Sequence, residues 1–326
     1  MLSRETLNGT HFAKDFGGKA CNQAVMAAKI GGNVAFIGKV GNDTHGKEAV
    51  ASMQSFGIDC QAVKVAEQTH TGIATILVVQ STGENMIVPV LGANGQVTPA
   101  DVEDAMVTLQ HSHLLVTTLE FPLPVVEHCL AMHKETAPRG WNIVNAAPFE
   151  EMTPKMFLLT DFLILNAQEA CALCHDATAT STGPLTQTYL QQLAATIHAR
   201  GTVHVIITLG AQGAFASWAG PESHPQSILL PAPPLPRGKT VISTVGAGDA
   251  FVATFAQLLA LSLSQVAHPR QGAALPLSGT TLQWALEGAL AGATLSVTQA
   301  GAQASYPTRS AFESFYPAAA SPPPSS

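Results

Sequence analysis

Charge is scarce in this sequence. Lys and Arg number 15 and Asp and Glu 22 among 326 residues, so charged side chains make up 11% and the net charge is −7. No Lys/Arg cluster stands out, which excludes the basic stripe of a nucleic-acid-binding surface. A long apolar run is also lacking. The best candidate, Ala250 to Leu263, is interrupted by Gln257 and falls short of the roughly 20 residues that span a bilayer. The opening Met-Leu-Ser-Arg-Glu-Thr has no apolar stretch of the signal-peptide kind, so secretion is not expected. Aromatic residues reach only 6%, which leaves no obvious platform for stacking a nucleobase on a nucleoside substrate. Cysteine is limited to five scattered residues, an odd number that points to reduced thiols and a cytoplasmic protein. What is plentiful is apolar side chain, 46% of the total, enough for one large α/β domain or two ordinary ones and too much for a disordered chain.

Along the chain, short apolar runs alternate with helical stretches. Residues 24–30 read as a helix leading to a strand over 33–38. Residues 72–80 and 85–90 flank Ser81-Thr-Gly-Glu84 and read as a hairpin. Thr98-Pro99 reads as a helix cap followed by proline in the first turn. From about residue 113 the alternation becomes regular, with strands expected over 113–117, 141–145, 162–165 and 203–208. Such runs indicate a doubly wound, mostly parallel sheet covered by helices on both faces, with ligands at the carboxyl ends of its strands. Pro221 to Pro236, Ala267 to Gly279 and Ala318 to Ser326 are rich in Pro, Ala, Gly or Ser and are expected to be surface loops and a loose tail.

The strongest chemical signal is Gly246-Ala247-Gly248-Asp249, followed by a long apolar run. If a helix starts here, its free N–H groups form an anion site suited to a transferring phosphoryl group. Asp249 in the first turn is then placed to take a proton from an attacking hydroxyl. An acidic residue at an ordinary helix start is the plainer reading of the same motif. Gly17-Gly18-Lys19-Ala-Cys-Asn22 is a second signal: small residues plus Lys19 and Asn22 offer donors to a polyhydroxy ligand, or simply a turn before a helix. Gly238-Lys-Thr240 ends like a phosphate-binding Walker loop, but Pro233 occupies the place of the first glycine and the pattern fails. Cys171-Ala-Leu-Cys174-His175 has the spacing of covalent haem attachment, yet it sits in a helical stretch where cysteine is ordinarily a small buried apolar residue.

Taken together and in order, the two glycine motifs resemble the signatures of the ribokinase-like (PfkB) carbohydrate kinases, and among these the ribokinase branch most. Intermediate stretches carry the likeness as well: Ile37 to Asp43, Gly92-Ala-Asn94, Asn145 to Pro148, Thr208 to Gly213 and Gln303 to Pro307. The resemblance implies one kinase domain over residues 1–317, with a small β-sheet lid drawn from about 1–16 and 72–92 and a disordered tail over 318–326. It implies transfer of the γ-phosphoryl group of ATP to a sugar hydroxyl, most simply O5 of D-ribose, with Mg2+ as cofactor. By the same similarity Gly18, Lys19, Asn22 and Glu120 hold the sugar. Asn166, Thr208, Gly210, Gln212, Gly213 and Gly248 contact the nucleotide, and Glu169 places magnesium indirectly. Asp249 is the base, and Gly246, Ala247 and Gly248 form the pocket for developing charge.

Two departures qualify the likeness. In many relatives a potassium ion orders the loop before the GAGD motif. Here Ser243 and Val245 stand where Asp and Thr are usual, while Gly301 and Ser305 match other positions of that site. Arg4 to Gly9 matches the family's lid strand, so the resemblance implies that the preceding sheet strand and its sugar-binding Asp are missing. Loss of such a charged partner is expected to weaken sugar binding roughly ten- to a hundred-fold. Another sugar or nucleoside kinase, and a catalytically silent ligand-binding protein on the same fold, are the alternatives. No membrane or nucleic-acid partner is expected, and a homodimer through the lid is.

Overall fold

In the computed structural model, the described residues are 9–78, 85–175, 185–218, 225–264 and 277–323. The core is a six-stranded sheet. Four strands run parallel: β5 (Leu114–Thr118), β6 (Trp141–Asn145), β7 (Phe162–Asn166) and β8 (His204–Thr208). β9 (Ala214–Trp218) and β10 (Gln226–Leu230) continue the sheet antiparallel, giving the order β10-β9-β8-β7-β6-β5. The parallel strands lie under helices on both faces, and their sequences are correspondingly apolar throughout: every residue of β6 is buried.

Side chains alternate between two cores. One face packs Trp141, Ile143, Phe162 and Ile206 against α1 (Lys19–Lys29), α9 (Ala247–Ser264) and α10 (Gly279–Ser296). Phe162 anchors it, edge-on to Trp141 and Phe255 at 5.5 Å and stacked on the His204 ring at 4.3 Å. The other face packs Val144, Leu163, Leu165 and Phe215 against α5 (Leu123–Thr136), α6 (Pro154–Leu159), α7 (Ala167–Leu173) and α8 (Gln187–His198).

Two smaller sheets stand beside the main one. β1 (Gly38–Gly41) pairs in parallel with β2 (Val63–Ala66), around α2 (Thr44–Ser55). β3 (Ile73–Val78) and β4 (Asn85–Val90) form the antiparallel hairpin expected from the sequence, while its turn lies outside the described residues. No strand forms over the described residues 9–16, the other stretch expected to supply the lid. Thr98 caps α3 (Pro99–Glu103) as read, with Asp101 completing a reciprocal capping box.

Three expectations need correction. The strand expected over 33–38 starts only at Gly38 and is preceded by a lone bridge from Ala35 to Asp59. The proline-rich stretch after 220 is not all loop, because Gln226–Leu230 alternates well enough to pair as an edge strand. The tail from Ala318 is not loose at its start: Pro317–Ala320 forms a 3-10 turn, Ala319 is buried, and the Ala318 carbonyl accepts from Trp284 Nε1 at 2.8 Å. A buried indole N–H needs an acceptor, and this turn supplies it. Among the described residues no helix is long and apolar enough to cross a membrane.

Candidate active site

The carboxyl ends of β5 to β8 and the first turns of α1 and α9 meet at one edge of the sheet. Gly246 has φ +77°, and a Cβ there would sit 2.7 Å from Tyr306 Oη and 2.9 Å from Ala302 Cβ. Only glycine satisfies both demands, and it lets the chain turn directly into the 18-residue helix α9. The Tyr306 hydroxyl then donates to the Gly246 carbonyl at 3.2 Å and fixes the turn. Ala247 and Gly248 open α9 at the positive end of its dipole, the Ala247 amide donating back to the Thr244 carbonyl at 3.2 Å.

Asp249, in that first turn, is 8% exposed. Its Oδ2 accepts from Asn22 Nδ2 at 2.9 Å and its Oδ1 from Gln23 Nε2 at 3.1 Å. Burial raises its pKa above the ordinary carboxylate range, and the Asn22 and Gln23 hydrogen bonds and the Lys19 charge pull part of that back. The net result is a more basic carboxylate, as proton abstraction from a hydroxyl requires.

Gly18, at φ +86°, is the N-cap of α1, and Lys19 is its first residue. The Lys19 amide donates to Glu120 Oε2 at 2.9 Å, tying α1 to the segment after β5. Glu120 is also raised, mainly by burial. Asn166 ends β7 and caps α7 through a reciprocal box with Glu169, both bonds being 2.8 Å. Burial raises Glu169 as well. The Lys19 charge favours the ionised forms of Asp249, Glu120 and Glu169, which come from three distant segments. The residues expected to hold sugar, magnesium and the base are thus brought together.

Thr208 ends β8 in register with Asn166 of β7. Beyond it Gly210, Gln212 and Gly213 form a 3-10 turn closed by Leu209 N–H to the Gly213 carbonyl at 2.8 Å, with Gln212 exposed. This places the expected nucleotide contacts along the same sheet edge. Ser243, Val245, Gly301 and Ser305 also lie on adjoining segments: the Ile242 and Ser243 amides donate to the Val297 carbonyl, and Ser305 Oγ donates to the Ala302 carbonyl at 2.7 Å. Ser243 Oγ accepts from the Val245 amide at 3.2 Å. Among the described residues no group of three or more His, Cys, Asp or Glu is disposed to hold a metal ion by itself. Cys171 and Cys174 stand on and beside α7, Cys171 buried as a small apolar residue and Cys174 Sγ donating to the Leu193 carbonyl at 3.7 Å.

Sequence reasoning missed Gln23, which adjoins the motif residue Asn22. It also missed Gln303 as a site residue. Gln303 Nε2 donates to Asn22 Oδ1 at 3.1 Å, and the two lie 281 positions apart in the chain.

A buried carboxylate in the first turn of a long helix, beside a lysine and further carboxylates at the carboxyl edge of a parallel sheet, defines a site for moving a phosphoryl group onto a hydroxyl. Comparison with known proteins gives the same class. Residues 2–309 match the pfkB family carbohydrate kinase family. The chain is 31% identical over 305 residues to a ribokinase of Haemophilus influenzae, covering 94% of this chain and 88% of that one. It is 29% identical over 315 residues to a deoxyribokinase of Salmonella typhi, covering 95% and 90%. The crystal structure of a ribokinase from Cryptococcus neoformans in complex with ADP superposes with a TM-score of 0.72 at 27% identity, covering 95% of this chain and 92% of that one. This chain belongs to the pfkB family of carbohydrate kinases, and it is a ribokinase-like, ATP-dependent sugar kinase that phosphorylates an alcohol group.

Proposed function

We propose that the chain phosphorylates D-ribose at O5, with Asp249 as general base. The observation that carries this reading is the Asp249 carboxylate itself: buried, raised in basicity, held through both oxygens, and set in the first turn of α9. Gly18, Lys19, Asn22 and Glu120 bind the sugar. Asp249 takes the O5 proton as O5 attacks the γ-phosphorus, the new O5–P bond forms, and the bond to the β-phosphate oxygen breaks to release ADP. The N–H groups around Gly246, Ala247 and Gly248 stabilise charge on the transferring group. Asn166, Thr208, Gly210, Gln212 and Gly213 take the nucleotide. Glu169 would help place magnesium indirectly, since its carboxylate suits the water shell of a hard cation, and the ion would neutralise phosphate charge when bound.

The β3–β4 hairpin acts as the lid, and its apolar exposed side chains suit pairing with a second copy. The potassium positions have no carboxylate, since Ser243 and Val245 replace the usual residues, so activation by that ion is expected to be slight. The similarity to a deoxyribokinase favours one second reading, 2-deoxy-D-ribose as substrate. ADP production by the wild-type chain and by Asp249→Asn, with ribose, 2-deoxyribose, fructose and adenosine as acceptors, tests the reading. Ribose turnover that falls by about 10²–10⁴-fold in the variant supports it. Preference for 2-deoxyribose moves the assignment to the second reading, and undiminished activity of the variant refutes Asp249 as base.

A further inference from the structure

Behind Asp249 lies a set of side-chain amides that the proposed chemistry does not use directly. Gln23 is 4% exposed, and its Nε2 reaches both Asp249 Oδ1 at 3.1 Å and Asn145 Oδ1 at 3.0 Å. Asn145 has its own Nδ2 committed to the Ile164 carbonyl at 3.1 Å, so only its oxygen is left to face Gln23. Gln303 is 9% exposed and donates Nε2 to Asn22 Oδ1 at 3.1 Å, which leaves the Asn22 Nδ2 for Asp249 Oδ2. Each amide orientation is thereby dictated by the next, from β7 on one side and from the Gln303 turn on the other. Both ends converge on the same carboxylate, one N–H to each oxygen.

Folding alone does not account for glutamine at position 23. Its Oε1 is buried with no partner among the described residues, and so is the neighbouring Thr118 Oγ1, whose residue is in register with Asn145. Leucine or methionine would fill this buried helix position, one turn before Met26, without burying an unpaired oxygen. A residue that costs stability in a packed core is expected where it serves the site. We infer that Gln23 and Gln303, through Asn145 and Asn22, form an amide cradle that holds the Asp249 carboxylate in one orientation with both oxygens engaged. They are positioning residues, acting through Asp249, and the inference rests on Asp249 being the base.

The cradle has a signature that a packing role lacks. Donors to a carboxylate favour its ionised form, so their removal raises its proton affinity. The other groups acting on or facing Asp249 are Lys19 and Cys21 on α1, Glu120 after β5, and Tyr306 beyond Gln303. Gln303→Leu also removes the Gln303 Nε2 bond to Cys21 Sγ at 3.4 Å, which pushes a thiol already raised by burial further up and leaves it uncharged. The experiment is the pH profile of kcat/KM for wild type, Gln23→Met and Gln303→Leu, with ATP affinity measured on each and Asp249→Asn as control. Gln23→Met is expected to lower kcat about 10–100-fold and move the acid limb to higher pH by about one unit. Gln303→Leu is expected to shift the limb the same way by less, with ATP affinity unchanged in both. Lowered activity with an unmoved acid limb in both variants, or wild-type profiles in both, overturns the cradle. If Gln23→Met loses its cooperative thermal transition, Gln303→Leu, outside the main helices, decides alone by the same criterion. Activity surviving in Asp249→Asn instead removes the base assignment, and the cradle with it, a failure read in a different variant.

Discussion

Asp249, in the first turn of α9 and bonded to α1, is 8% exposed, whereas Ile76 and Ile87, a register pair in the hairpin proposed as the lid, are 50% and 56% exposed. The floor of the site is held by long-range bonds: residue 22 to 249, 19 to 120, 303 to 22. The lid is held at its root. Thr71 donates its amide and hydroxyl to Asp43 at 2.8 and 2.6 Å, and the Gly41 amide donates to Thr71 Oγ1 at 3.0 Å. On the return strand the Ala93 amide donates to the His70 carbonyl at 2.9 Å. Gly92, at φ +51°, passes so close to that carbonyl that a Cβ would overlap it. The difference is physical. On the proposed reading, the group that moves a proton is fixed by burial and by its partners, while the hairpin proposed to admit substrate has little packed surface and opens cheaply.

The strongest challenge to this division is Lys19→Met. It removes the positive charge that bears on Asp249, Glu120 and Glu169, and steady-state kinetics should show kcat/KM down about 10²-fold with the fold intact. Full activity would mean that the floor's electrostatics do not matter. Next is Gly246→Ala, which imposes a left-handed conformation on alanine and an overlap with Tyr306. Urea denaturation should register a loss of about 1–3 kcal/mol.

Acid should also act on the packed core, at the amino ends of the strands, before the hairpin root. Burial lowers His204 to about 4 and lowers His133 as well. An unfolded histidine titrates near 6.5, so between these values the unfolded state binds more protons. Stability is therefore full above about 6.5 and falls as pH drops toward 4, by up to about 3 kcal/mol for His204. Asp43, held down at about 2 chiefly by its Thr71 bonds, stays ionised through that window and keeps the lid root tied. Urea midpoints across pH, with a shallower slope in His204→Gln, check this. Smaller still, Thr71→Val should raise the sugar KM about 3–10-fold by loosening the lid root. Least of all, Ile76→Ser with Ile87→Ser should change stability within about 0.5 kcal/mol per site. If the lid pairs two copies, the same change lowers the apparent mass in size-exclusion chromatography.

The parallel core was legible because its strands are continuous apolar runs with helical intervals, and the hairpin because its turn residues separate two β-rich segments. β10 was hidden by the prolines around it, and the ordered start of the tail by composition, since nothing local says that Trp284 will need the Ala318 carbonyl. In the site, the motif residues Lys19, Asn22 and Asp249 were legible because small residues and charge cluster in sequence. Gln23 and Gln303 were not, because their meaning lies in contacts that only the closed fold makes.

Phosphorus NMR on the wild-type chain with ATP, magnesium and D-ribose tests the central claim most directly. The account predicts a sugar-phosphate resonance coupled to the two C5 protons of ribose, growing as ATP is replaced by ADP. Orthophosphate as the sole new phosphorus signal beside ADP, or a phosphate coupled to the C1 proton, would contradict it.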